Sequence, residues 1–376
     1  MHNHKDLATT TRWAESQSAV GSQKTDFELA CGRKRKNPTL FNNLLGSMPR
    51  APFALIACIA LLCVVTGARA GAARSAWLEQ VYFEVAEGFV HYGTLQLEGE
   101  EVPNSTGQYL DSSTTQIVAG YRVSPRLALQ LNVPLIYRSF ERPEGFAIDR
   151  GTESGLGDVS LVVDAVVFLR EWGGRRTADM SESKGPRLER DESRLALALS
   201  LLGGVKFPSG ETSRLKEEFI ESEIPGAPES GIHGHDLTLG SGSLDGIFGA
   251  QVALRYRGFF FEAGTFYRMR SEGAHQYEYA DDVTWFGGPG LHFVRNLGTQ
   301  LSLQFLISAE HKGRDRFRGE AVEDTAITSV LLGPRMLFSL GKWSGEIGVG
   351  LPVVLDNSAL QVVPDYRLHG ALSMHF

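Results

Sequence analysis

Beyond residue 70 this 376-residue chain has no cysteine; Cys31, Cys58 and Cys63 all come before it. That excludes a disulfide framework and any thiolate metal site from residues 71–376. The same stretch has no basic excess. It holds 28 Lys and Arg against 40 Asp and Glu, a net charge of −12, which argues against general nucleic-acid binding. It has no apolar run of the roughly 20 residues that a spanning helix needs. No convincing amphipathic helix lies in it either. Without disulfides or transmembrane helices, a chain of this length needs another source of rigidity.

One apolar run does occur, early in the chain. In "RAPFALIACIALLCVVTGARAG" (50–71) no charge falls between Ala51 and Thr66. The run is shorter than a span. Arg50 precedes it, the basic cluster Arg33-Lys34-Arg35-Lys36 lies upstream, and Ala68-Arg69-Ala70 follows. A positive n-region, a short apolar core and an A-x-A site describe a secretory signal peptide cut after Ala70, with an uncleaved anchor as the bland alternative. Leu62, not a small residue, precedes Cys63, which argues against a lipoprotein address. Met48 would start that signal at an ordinary distance. Residues 48–70 are therefore read as the signal peptide, and the polar 1–47 as a disordered leader or an over-extended start.

From residue 71 the pattern has period two. In "LALQLNVPLIYRSF" (127–140), Leu127, Leu129, Leu131, Val133, Leu135 and Tyr137 share one face. Ala128, Gln130, Asn132 and Arg138 share the other. Successive strand side chains point to opposite faces, so this is a strand with one apolar side. The stretches 258–270, 299–310 and 343–355 read the same way. Twelve such segments are expected, at about 78–92, 112–123, 127–140, 156–170, 193–207, 237–256, 258–270, 282–294, 299–310, 326–340, 343–355 and 364–376. The first is the least regular, because Glu87 interrupts its apolar face.

Short and long connections alternate. Ser124-Pro125-Arg126, Arg257-Gly258, Arg295 to Gly298 and Gly341-Lys342 are tight; 93–111, 141–155, 208–236, 271–281, 311–325 and 356–363 are long and polar. That is the wiring of an up-and-down barrel with two unlike rims. The charged stretch 171–192 departs from it and reads as an insertion on the short-turn rim. The segments exceed the globular strand average of about 5 to 6 residues and suit the roughly 9 to 11 of a membrane strand. Aromatics near strand ends, such as Tyr256, Phe259, Trp285 and Trp343, suit interface belts. The chain ends in "YRLHGALSMHF", an alternating strand closing on Phe376, which resembles the C-terminal targeting strand of bacterial outer-membrane proteins. The fold expected is all-β: a transmembrane up-and-down antiparallel barrel of about twelve strands over 71–376.

Several motifs recur: "SGLGDVSLVVDAVVFLRE" (154–171), "LTLGSGSLDGIFGAQVALRYRGFFFEAGTFYR" (237–268), and strands ending in a hydrophobic residue and Pro at "GVKFPSG" (204–210) and "VGLPV" (349–353). Together they resemble the outer-membrane β-barrel family named for the meta-pathway of phenol degradation, over roughly residues 110–376. The resemblance implies a Gram-negative outer-membrane channel for small hydrophobic or aromatic compounds. It brings no catalytic residues, and its motif positions here include Gly155, Gly157, Asp158, Gly240, Gly242, Asp245, Pro208 and Pro352. Read physically, the glycines and prolines shape the barrel: glycine in a strand permits a bend or close approach, and proline ends pairing at a rim or bulge.

If the apolar faces look outward, the lumen receives Arg122, Gln130, Arg138, Asp158, Asp164, Lys206, Gln251, Arg255, Glu262, Arg268, Arg335 and Glu346, with Arg270, Glu310, Lys312, Asp356 and Arg367. Mixed charge of this kind can tune permeation, or simply brace the wall with ion pairs. The function expected is passive passage of small molecules in the outer membrane, gated by the long loops, with no cofactor. The partners expected are the bilayer, the barrel-assembly machinery and a small solute. A non-conducting structural or adhesive barrel is the alternative. An outer-membrane hydrolase is less favoured, since His292, His311 and His369 have no recognisable Ser partner. The loop pair in "HGHD" (233–236) reads as loop rather than metal site.

Overall fold

The structure, a computed structural model, describes residues 80–172, 195–219, 224–296 and 298–376. The expected leader, the signal peptide and most of the 171–192 insertion lie outside the described residues.

Twelve long strands form the wall: β1 (Val81–Leu97), β2 (Tyr109–Ser124), β3 (Leu127–Glu144), β4 (Ser160–Trp172), β5 (Leu195–Lys206), β6 (Asp245–Tyr256), β7 (Phe259–Met269), β8 (Asp282–Asn296), β9 (Thr299–Lys312), β10 (Ile327–Leu340), β11 (Trp343–Asn357) and β12 (Leu360–His375). Each pairs antiparallel with its chain neighbours, and β12 returns to β1 from Tyr82↔His375 to Leu97↔Leu360. The sheet thus closes into an up-and-down barrel, and closure answers the backbone hydrogen-bonding demand that an open sheet leaves at its edges.

Period two places the strands well, with three departures. The connection expected as long over 356–363 is a two-residue turn, Ser358-Ala359, between β11 and β12. The segment expected as strand from 237 joins the wall only at Asp245. Leu237, Thr238 and Leu239 are all buried, so "LTL" alternates without presenting one wet and one dry face. The long connection expected over 141–155 is largely strand. β3 turns at Gly145, with a φ of 61°, and an extension, Ala147–Leu156, pairs back along it. That extension lies in line with β4. Leu135 faces Leu156 and Asn132 faces Ser160, so Gly157, Asp158 and Val159 stand opposite Val133 and Pro134 as a bulge.

The outer face is apolar. Leu131, Phe305 and Leu351 are 42%, 51% and 54% exposed. Exposed aromatics stand at both margins: Phe259 and Tyr267 on β7, Phe293 and Trp285 on β8. Each pair is eight residues apart, about 26 Å along a strand and about 20 Å upright at a tilt of about 40°. Among the described residues no helix is long and apolar enough to cross a membrane.

The densest packing lies inside the long-loop half of the lumen. Between β5 and β6, the described residues 207–219 and 224–244 turn inward. Their Ile232 and Leu237 are fully buried against Leu95, Leu110, Phe140 and Val362 of the wall. Full burial of each such aliphatic side chain is worth about 1.5–3 kcal/mol. A second small sheet joins Tyr277–Glu278, Arg316–Phe317 and Glu320–Ala321, and Phe219 of the inward segment meets Phe317 edge-on at 4.9 Å.

Candidate functional site: an occluded lumen

The inward segment is fastened at its base by a ladder of buried charges. The Asp158 carboxylate comes from the bulge, where Gly157 donates its N–H to Pro134 O. Lys206, the last residue of β5, reaches Asp158 at 2.7 Å and Asp245, the first of β6, at 2.6 Å. Asp158 also accepts the Ser241 N–H and hydroxyl at 2.9 Å and the Gly210 N–H at 2.9 Å. Arg270 continues the ladder, bonding Asp245 at 3.0 Å and Asp282 at 2.7 Å, and Arg268 approaches Asp282 at 3.4 Å. Lys206 is 12% exposed and its two carboxylates 8% and 1%, so the charges offset one another out of water.

The motif glycines serve this fastening. A Cβ on Gly240 would lie 2.6 Å from the Gly210 Cα, and Gly210 meets Gly240 as closely, so the two ends of the segment touch backbone to backbone. Gly242 adopts a φ of 70°. Gly240 and Gly242 were expected within a strand; they lie before Asp245, in the segment's return. Gly155 faces Leu239 and Gly157 faces Ile136, both at contacts a Cβ would crowd. Pro208 follows the end of β5. Pro352 lies in β11 opposite Leu331, where the β10–β11 register shifts.

Higher in the lumen a second set of contacts grips the segment. Arg138 donates to the Asp236 and Thr238 carbonyls. Arg142 bonds Glu217 at 2.7 Å and Asp149 at 3.3 Å. Arg214 joins Glu153 at 2.5 Å and also pairs with Glu217. His235 pairs with Glu218 at 3.0 Å, and His233 with Asp324 of the 313–326 connection at 2.9 Å. Burial raises the Asp324 carboxyl, but His233 and then His235 outweigh it and hold the group down to about 2. Burial lowers His235, but Asp236 and Glu218 outweigh it and leave the imidazole above its ordinary value. The histidines of "HGHD" thus join the segment's acidic contacts. No group of three metal-ligating side chains stands together among the described residues.

Toward the short-turn end the lumen widens into a chamber of about 530 Å³. Of its lining residues, Glu262 and Glu346 both pair with Arg335, at 3.5 Å and 3.2 Å, and Arg335 also bonds Gln304. Arg255 and Glu84 also line it. Arg122, Gln130, Asp164 and Gln251 lie on β2, β3, β4 and β6; Gln130 stands opposite Gly120, Asp164 opposite Ala128, and Gln251 opposite Ser200. Sequence reasoning did not single out Glu84, Ser241, Asp282 or Gln304. Glu84 was legible in principle, sharing its parity with Ala86 and Gly88. Sequence also gave His292 no serine partner, whereas β9 supplies one: Ser302 Oγ lies 2.7 Å from His292 Nδ1. The ring stacks on Phe260 at 4.6 Å, and His292 has no ion pair with a carboxylate among the described residues.

No family model and no curated protein matches this chain. Its fold is similar to a crystal structure of an outer-membrane channel from Pseudomonas putida, with a TM-score of 0.51 and 12% identity over 81% of this chain and 100% of that one. Weaker likenesses include the β domain of the Bordetella autotransporter BrkA, at a TM-score of 0.42 and 11% identity over 79% of this chain and 100% of that one. Another is a Pseudomonas aeruginosa FadL homologue, at a TM-score of 0.31 and 10% identity over 79% of this chain and 90% of that one. At these identities the likeness is one of architecture: a closed twelve-stranded antiparallel barrel of the kind that an outer-membrane channel is built on.

Proposed function

We propose that the protein is a passive outer-membrane channel for small molecules and that the described conformation is its closed form. The observation that carries this reading is the division of the wall. An apolar, aromatic-bordered band about 20 Å high faces out, close to the roughly 25 Å of a membrane barrel, while charged and amide side chains face in. Lipid cannot satisfy polar backbone or side chains, whereas a wet lumen can. The short-turn end, where Phe376 packs edge-on against Phe83 at 5.9 Å, would face the periplasm, and the long-loop end the exterior. Phe376 is the proposed signal to the assembly machinery. The resemblance of the motifs adds hydrophobic or aromatic compounds as a solute class.

The inward segment makes the channel a gated one. Residues 71–376 would be refolded into liposomes beside a variant in which 212–238 is replaced by a short Gly-Ser linker. Solute-driven swelling and planar-bilayer conductance should both be larger for the shortened form. If neither form passes any solute or ion, the barrel is a structural one and the channel reading is wrong.

A further inference from the structure

The chamber at the short-turn end is electrically two-sided. Three of its carboxylates are held within the wall: Glu262 and Glu346 share Arg335, and Glu87 accepts from the Ser113 and Thr115 hydroxyls. Two charged side chains are left without such a partner. Glu84 on β1 and Arg255 on β6 line the same cavity, and neither has a hydrogen-bond or ion-pair partner among the described residues. Four strands separate β1 from β6 in one direction around the barrel and six in the other. The spare carboxylate and the spare guanidinium therefore stand on nearly opposite walls.

We infer that this chamber binds small zwitterions, taking an ammonium group at Glu84 and a carboxylate at Arg255. An ion of either sign is attracted to one wall and repelled by the other. A dipolar solute lying across the lumen is attracted by both. Arg suits the carboxylate end because its planar fork can donate two parallel hydrogen bonds. Ala86, Gly88 and Ala371 leave open space around Glu84, and Ser344, Ser373 and Thr114 add neutral hydrogen-bonding groups. A chamber of about 530 Å³ lies within the range of small-ligand sites, roughly 300–1,000 Å³. As a statement about transport this rests on the channel reading; as a statement about binding it stands apart from it.

The test uses three solutes of equal chain length: γ-aminobutyrate, pentanoate and aminobutanol. Calorimetry on the folded protein, residues 71–376 in detergent, should show γ-aminobutyrate binding about tenfold tighter than either singly charged analogue. Glu84→Gln should abolish the preference over pentanoate, and Arg255→Gln the preference over aminobutanol. Heat-modifiable gel mobility confirms that each variant is folded. In planar bilayers with a KCl gradient, Glu84→Gln should move the reversal potential toward anion selectivity and Arg255→Gln toward cation selectivity. Equal affinity for the three solutes, or displacement of the potential in the same direction by both substitutions, would overturn the assignment. Zwitterion binding without conductance would uphold the chamber and reject the channel.

Discussion

Lys206 is the residue on which the closed conformation turns. Among the described residues it is the one cation in contact with both Asp158 and Asp245, and each carboxylate is nearly out of water. Lys206→Met would leave the buried Asp158 without a counter-charge, while Asp245 keeps Arg270, at a cost of about 3–5 kcal/mol. A lowered melting temperature together with a larger resting conductance is the expected outcome. Restoring both towards wild type with Asp158→Asn in the same chain would show that uncompensated charge is the cause. Unchanged conductance would mean that the ladder braces the wall and does not hold the segment. Glu87 makes the opposite case. It shares a face with Phe83 and Ile117, yet is 3% exposed and accepts hydrogen bonds from Ser113 and from Thr115 at 2.5 Å. Removing the hydroxyls with Ser113→Ala and Thr115→Val should destabilise the fold by about 1–3 kcal/mol in a urea titration, because a buried acceptor is stranded. Glu87→Leu should be milder, since it removes the group that needs them. The sequence displayed each of these residues and their parity. It did not display the partnerships, because Lys206 and Asp158 are 48 residues apart and meet only through the bulge at Gly157.

At the scale of the element, the inward segment should respond to pH with two opposite signs. Asp324 is held at about 2 in the fold, below the roughly 3.9 of a free aspartate. Its contribution is present above about 3.9 and fades as pH falls toward about 2. His235 is raised, so its contribution is complete below about 6.5 and is lost as pH climbs through the higher folded-state value. Docking should be firmest between about pH 4 and about pH 6.5, and conductance should rise on the alkaline side. His235→Gln should remove that rise, and a wild-type conductance flat from about pH 6 to about pH 9 would refute it. The segment also shows where reading by periodicity fails. Alternation reports alternate environments, which a wall strand creates by facing lipid on one side and water on the other. "LTLGS" (237–241) has apolar and small residues in turn but is buried at every position, and its Gly240 needs Gly210 as a neighbour. Gly240→Ala should therefore loosen the closed form, measurable as faster proteolysis within 212–238 and a larger conductance.

At the scale of the molecule, the strand count and the outward faces were legible, and the alternation of short and long connections mostly so, because a closed barrel imposes one repeated demand on every strand. Its interior was less so, since the lumen is filled by contacts between distant connections, which no local pattern encodes. The inside-outside division can be tested at two adjacent positions. Leu131 is 42% exposed on the outer face of β3, and its neighbour Gln130 belongs to the opposite face. Leu131→Arg would set a guanidinium against hydrocarbon, costing about 2–4 kcal/mol near the bilayer midplane. Gln130→Arg would set the same group in the wet lumen and should cost far less. Reversible urea unfolding in lipid vesicles measures both. A large gap in that order fixes the greasy face against lipid. Equal costs, or a larger cost for Gln130→Arg, would turn the barrel inside out and remove the channel, its gate and its chamber together.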